Sequence, residues 1–119
     1  MGNLDTYTVY AFQNETLTAG GNKTSGPIKL NDYKPDKENA VAQVHSAGAS
    51  SVVKLECLVS NDGVNYSVPV GTSDIVMAHS PGDGHYTFVL PIAKFLKIKA
   101  TETSTTNAVT DLDVLIGLR

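Results

Sequence analysis

The sequence predicts an all-β protein: a single domain built as an antiparallel β-sandwich of jelly-roll-like character. Three observations point that way. Short segments rich in Val, Ile, Thr and Tyr alternate with clusters of Gly, Pro, Asn, Asp and Ser along the chain. Several of these segments alternate apolar and polar residues with period two. Their spacing is regular, as in sandwiches and jelly rolls. With 119 residues the chain can support one core, so the domain is expected to span 1–119, with a short arm at 1–5.

In chain order, strands are expected near Thr6–Phe12, Glu15–Ala19, Gly26–Leu30, Ala40–Ser46, Val52–Ser60, Tyr66–Val70, Ile75–Ala78, His85–Pro91, Phe95–Thr101 and Val109–Leu118. Gly20-Gly21-Asn22-Lys23 reads as a turn between two of them; it lacks the Gly-Lys-Ser/Thr ending of a phosphate loop. Pro35–Ala40 has the composition of a turn or two of helix, with Pro35 at its first position and Asp36 and Glu38 in its first turn. Ala40–Ser46 alternates like a strand, so that helix competes with a strand for the same residues.

Two hairpins can be put in register. Asp62-Gly63 suits a type I′ turn, whose central residues both take positive φ. Pairing outward places Val59 opposite Tyr66 and Cys57 opposite Val68, with Lys54, Glu56 and Ser60 on the other face. A second turn within Glu102–Asn107 sets Lys99 opposite Asp111, Lys97 opposite Asp113, Ile98 opposite Leu112 and Leu96 opposite Val114. One face then carries two charge pairs, each adding at most about 1 kcal/mol. The other buries Leu96, Ile98, Leu112, Val114, Ile116 and Leu118, each contributing about 1.5–3 kcal/mol. Leu115 falls on the charged face, where another subunit would cover it or leave it exposed alone.

Composition narrows the function. The net charge is −3 and the nine basic residues are scattered, so no basic stripe marks a nucleic-acid binder. No apolar run approaches the roughly 18 residues of a membrane span. Met1-Gly2-Asn3-Leu4-Asp5 carries no basic-then-apolar leader. A lone cysteine, Cys57, forbids an internal disulfide and fits synthesis in a reducing cytoplasm. The sequons at Asn14, Asn22 and Asn65 then read as polar turn sequence.

Chemistry is sparse. There is no Gly-x-Ser-x-Gly elbow, and Cys57 sits mid-strand on the apolar face as a small core residue. His79 and His85 flank Ser80-Pro81-Gly82-Asp83-Gly84, which matches no zinc spacing and reads as a polar hairpin turn. Asp32, Asp36 and Glu38 lack the EF-hand spacing and share their loop with Lys34 and Lys37. No catalytic, metal or cofactor residue is therefore assigned. Tyr7, Tyr10, Tyr33, Tyr66 and Tyr86 are the aromatic platforms open to a sugar in a chain without Trp, but Tyr66 and Phe88 read as core residues and the composition does not indicate a sugar site. Tyr33, Asp62 and Tyr86 are the candidate ligand or partner contacts.

The chain resembles small virion-associated proteins of tailed bacteriophages and prophages. The likeness rests on Tyr7–Phe12, Leu17–Gly20 and Thr24–Leu30; on Val53–Glu56 followed by Ser60-Asn61-Asp62-Gly63-Val64-Asn65-Tyr66; on Phe95–Thr103; and on the terminal strand ending at Arg119. It implies a virion structural protein of the capsid, neck or tail, without catalytic residues or cofactor, made in the host cytoplasm. Its partners would be other virion proteins and itself as a homo-oligomer, with no nucleic acid or membrane. The N-terminal strand, following the arm at 1–5, is the expected point of contact with a neighbour, alongside the reading that it is an ordinary edge strand. The alternative is a carbohydrate or cell-surface binding module used in host attachment, with the Asp62-Gly63 hairpin and the loops around Asp32 and Asp83 as its site.

Overall fold

The computed structural model describes residues 7–30, 39–69, 74–89 and 93–118. Among them run nine strands: β1 (Tyr7–Leu17), β2 (Asn22–Thr24), β3 (Ile28–Lys29), β4 (Asn39–Ala47), β5 (Val53–Ser60), β6 (Val76–His79), β7 (Gly82–Val89), β8 (Phe95–Glu102) and β9 (Val109–Leu118). They form two antiparallel sheets packed as a β-sandwich. Sheet A has the order β1-β9-β4-β7. Sheet B has the order β2-β8-β5-β6, with β3 also pairing β8.

The period-two pattern decides which side of each strand is inside. In β8, Leu96, Ile98 and Ala100 are buried; in β9, Leu112, Val114, Ile116 and Leu118 are buried. These side chains meet Val44, Val53 and Leu55 between the sheets, and burial of the large ones contributes about 1.5–3 kcal/mol each. The strands expected at Thr6–Phe12 and Glu15–Ala19 are one strand, β1. It continues through Asn14 at φ 52°, whose N–H donates to Asp113 Oδ1 at 2.8 Å, and its pairing with β9 shifts register three times. Gly20, at φ 69°, makes the turn that follows, but Asn22–Thr24 is a strand opposite Thr101–Lys99. Of the expected helix at Pro35–Ala40, residues 35–38 lie outside the described residues; Asn39 and Ala40 begin β4.

Three expected hairpins are corrected. The strands β8 and β9 do not pair: β8 lies between β5 and the β2–β3 edge, and β9 lies between β1 and β4. Lys99 therefore stands opposite Glu56 and Thr24, while Asp113 stands opposite His45. Alternation fixes the buried face of a strand, not its neighbour. Two strands facing each other across a sandwich satisfy the same pattern as two strands side by side.

The Asp62-Gly63 segment is a wider loop than a two-residue turn. Val59 pairs with Ser67, not Tyr66, through backbone hydrogen bonds of 2.8 and 3.0 Å. Of this pair only Gly63 takes positive φ, at 75°, which excludes type I′. The expected strand Tyr66–Val70 reduces to that single bridge; Val70 lies outside the described residues. Cys57 faces Ile98 of β8 rather than Val68. Finally, the segment between His79 and His85 is not a hairpin, because β6 belongs to sheet B and β7 to sheet A. Ser80-Pro81 carries the chain across the sandwich, and Gly82, at φ 120°, opens β7.

Candidate functional site

Of the three expected contact residues, the two that are described, Asp62 and Tyr86, belong to different sheets. Tyr33 lies outside the described residues. Asp62 is in the exposed loop after β5 of sheet B, whereas Tyr86 is on the inner side of β7 in sheet A, packed against the core. Tyr86 Oη lies 2.6 Å from His79 Nδ1, and His79 Nε2 lies 3.0 Å from the Gly82 carbonyl. The carbonyl accepts only, so Nε2 carries the hydrogen and Nδ1 accepts from the tyrosine hydroxyl. His79 is buried with both nitrogens partnered, and its ring meets Tyr86 edge-on at 5.6 Å. It braces the sheet-to-sheet corner. Asp32, Asp36 and Glu38 lie outside the described residues, and among the described residues no three His, Cys, Asp or Glu side chains gather as metal ligands would.

Cys57 packs against the core from β5. Burial, and after it the charge of Asp74, push its thiol up to about 12, so at neutral pH it holds its proton and lacks the thiolate a nucleophile needs.

Two carboxylates organise loops. Glu102 ends β8 and is buried. It accepts five hydrogen bonds: from the backbone of Gly20, Val52, Ser104 and Thr105, and from the Ser104 hydroxyl. These donors come from the β1–β2 turn, the β4–β5 connection and the β8–β9 connection. Burial works to raise its pKa, but the donors, led by Val52 N–H, outweigh it and hold the carboxyl at about 2. Asp62 is exposed and accepts from Val64 N–H, Asn65 N–H, the Asn65 amide and the Ser60 hydroxyl. The backbone donors of Asn65 and Val64 lead in holding it well below the usual carboxylate range. Sequence reasoning missed Glu102. The available signal was its register, since it falls on the same side of β8 as Leu96, Ile98 and Ala100.

The outer face of sheet A carries the most distinctive surface. Tyr10 of β1 stands opposite Leu115 of β9, and Leu115 stands opposite Gln43 of β4. Val41 is two residues along β4, opposite Thr87 of β7, and Asn39 is opposite Val89. Tyr10, Leu115, Val41 and Val89 thus step diagonally across all four strands. Tyr10 is 52% exposed and Val89 73%. Beside this stripe lies a shallow depression of about 520 Å³, lined by Tyr10, Gln13, Asn14, Gln43, His45, Asp111, Asp113 and Leu115. Of its lining residues, His45 pairs across the strands with Asp83, Nδ1 to Oδ1 at 2.7 Å.

No protein-family model matches the chain, and no curated protein matches it in sequence. Among solved structures, the chain is similar to part of a chain in "Structure of infectious bursal disease virus Gx strain", with a TM-score of 0.38 and 11% identity. The match covers 97% of this chain and 32% of the other, so the chain spans about a third of the length of that neighbour.

Proposed function

We propose that this chain is a non-enzymatic structural protein of a virus particle, in the finer reading a tailed bacteriophage or prophage, that works by burying surface against copies of itself and other virion proteins. The observation that carries the assembly role is the diagonal of Tyr10, Leu115, Val41 and Val89 on the outside of sheet A. The outer face of an antiparallel sheet is ordinarily polar, and grouped apolar side chains on such a face favour contact with another macromolecule. The phage assignment leans on the sequence resemblance alone. Its place in the particle would be the capsid, neck or tail, reached from the host cytoplasm. Co-sedimentation with purified heads and tails tests the role. Binding to either, weakened by Tyr10→Ser with Val41→Ser, is the expected result. A protein that binds neither would defeat it.

A second reading, a carbohydrate or cell-surface module, is favoured by one feature. Tyr10 presents its ring beside a depression lined with Gln43, Asn14 and His45, a combination of aromatic face and hydrogen-bonding groups suited to sugars. This reading uses Tyr10 where the sequence suggested Tyr33, Asp62 and Tyr86. Binding on a glycan array that disappears with Tyr10→Ala would support it.

A further inference from the structure

Among the described residues the sandwich has four strand edges, and three of them are guarded against pairing. The β1 edge is broken by three register shifts and by Asn14 in the left-handed region. The opposing edge of sheet B is split into β2 and β3, of three and two residues, with Lys23, Pro27 and Lys29 along it. The β6 edge is four residues long. Bulges, lysines, prolines and shortness are the devices by which proteins blunt edges.

The β7 edge has none of them. Its eight residues, Gly82-Asp83-Gly84-His85-Tyr86-Thr87-Phe88-Val89, contain no Lys, Arg or Pro. They pair with β4 in unbroken register from Gly82–Ser46 to Val89–Asn39. Among the described residues no strand pairs with the other side. Tyr86 and Phe88, on the inner side, pack against the core but remain only partly buried.

We propose that β7 is a self-pairing edge, at which a second copy of this chain adds its own β7 antiparallel, about a two-fold axis perpendicular to sheet A that passes midway between the two Tyr86 residues. This inference rests on the assembly role and names the partner. Such an axis keeps outer residues opposite outer residues and inner opposite inner. Centring it on Tyr86 sets Asp83 opposite Val89 of the second copy, His85 opposite Thr87, and Gly84 opposite Phe88. Seven residues of each strand pair, and no two like charges face one another. Each Phe88 comes opposite a glycine over which the neighbouring Tyr86 ring already lies, since a Cβ on Gly84 would meet that ring at 2.9 Å. The two open aromatic ends of the inner layer then cover each other. Centring on His85 would instead set the two imidazoles face to face.

The test is the mass in solution of the full chain and of the double variant His85→Lys with Thr87→Lys. Both residues are exposed, and the paired register puts Lys against Lys twice. The wild-type chain is expected at twice 12.6 kDa, and the variant at the monomer mass, with at least about tenfold weaker dimerisation. An equimolar mixture of His85→Cys and Thr87→Cys chains, mildly oxidised, is expected to give a covalent heterodimer that neither variant gives alone. This keeps the pairing testable if the lysine variant folds poorly. A monomeric wild-type chain, or an oligomer unmoved by the lysines and uncrosslinked in the mixture, overturns the edge pairing. If that protein still binds particles, the virion role stands without the edge. If β7 pairs and no particle is bound, the edge stands without the virion role.

Discussion

Glu102 and Asp62 solve the same local problem with the same chemistry and have different reach. Each is a carboxylate gathering several N–H and O–H donors near a loop. Every donor to Asp62 lies within three residues of it in sequence. Glu102 collects donors 82 and 50 residues away as well as its own neighbours. Asp62 sits in water, so its bonds compete with solvent; Glu102 is buried, so its bonds to part-buried donors compete with solvent less. The difference teaches that a carboxylate becomes a keystone through the separation of the segments it joins and its exclusion from water, not through the number of bonds it makes.

The largest effect is expected at Glu102. Replacement by Ala removes the shared acceptor of four part-buried N–H groups and should cost about 2–4 kcal/mol; Gln, which turns an NH₂ toward donors, should cost about 1–3 kcal/mol. Urea unfolding followed by circular dichroism measures both. The comparison fails if either variant unfolds at the wild-type midpoint.

Acid sharpens it next. The folded carboxyl of Glu102 titrates at about 2 against an ordinary 4.5. A depressed carboxylate contributes stability that is complete above the ordinary value and disappears as the pH falls toward the folded one. The urea midpoint should therefore be flat near neutrality and decline between about pH 5 and pH 2. Glu102→Gln should remove much of that decline. Asp62→Asn should leave most of it, because an exposed carboxylate is screened by solvent.

Smaller effects belong to the other loop. Gly63→Ala forces a side chain into φ 75° and within 3.3 Å of the Phe95 ring, an expected loss of about 1 kcal/mol. Asp62→Ala should barely move the unfolding midpoint while speeding amide exchange at Val64 and Asn65, which lose their acceptor. A global loss of stability from Asp62→Ala equal to that from Glu102→Ala would erase the distinction between the two carboxylates.

The sequence makes faces legible and neighbours obscure. Leu96, Ile98, Leu112, Val114, Ile116 and Leu118 could be placed inside from alternation alone, and all six are buried. The charge pairs Lys99–Asp111 and Lys97–Asp113 could not be checked in that way. Lys97 instead sets Nζ 4.2 Å above the Tyr66 ring, a residue 31 positions away. At Asp62-Gly63 the loop was visible, but its turn type was not. The Asp62 side chain bonds the backbone ahead of it, which competes with a two-residue hairpin. The diagonal of Tyr10, Leu115, Val41 and Val89 depends on the strand order of sheet A, and no local pattern encodes that order. The His79–Tyr86 contact depends likewise on a corner between sheets.

The placement of β8 and β9 governs when folding can finish. Each is an interior strand of its own sheet, and both lie at the C-terminal end of the described chain. During synthesis, β1 and β4 must wait for residues near 110–118 before they are joined, and β2, β3 and β5 must wait for Phe95–Glu102. Neither layer can close before the residues from Phe95 onward have left the ribosome. Such distant pairings slow a domain's acquisition of structure. Deleting β9 should therefore cut β1 off from the β4–β7 pair rather than trim one border from sheet A.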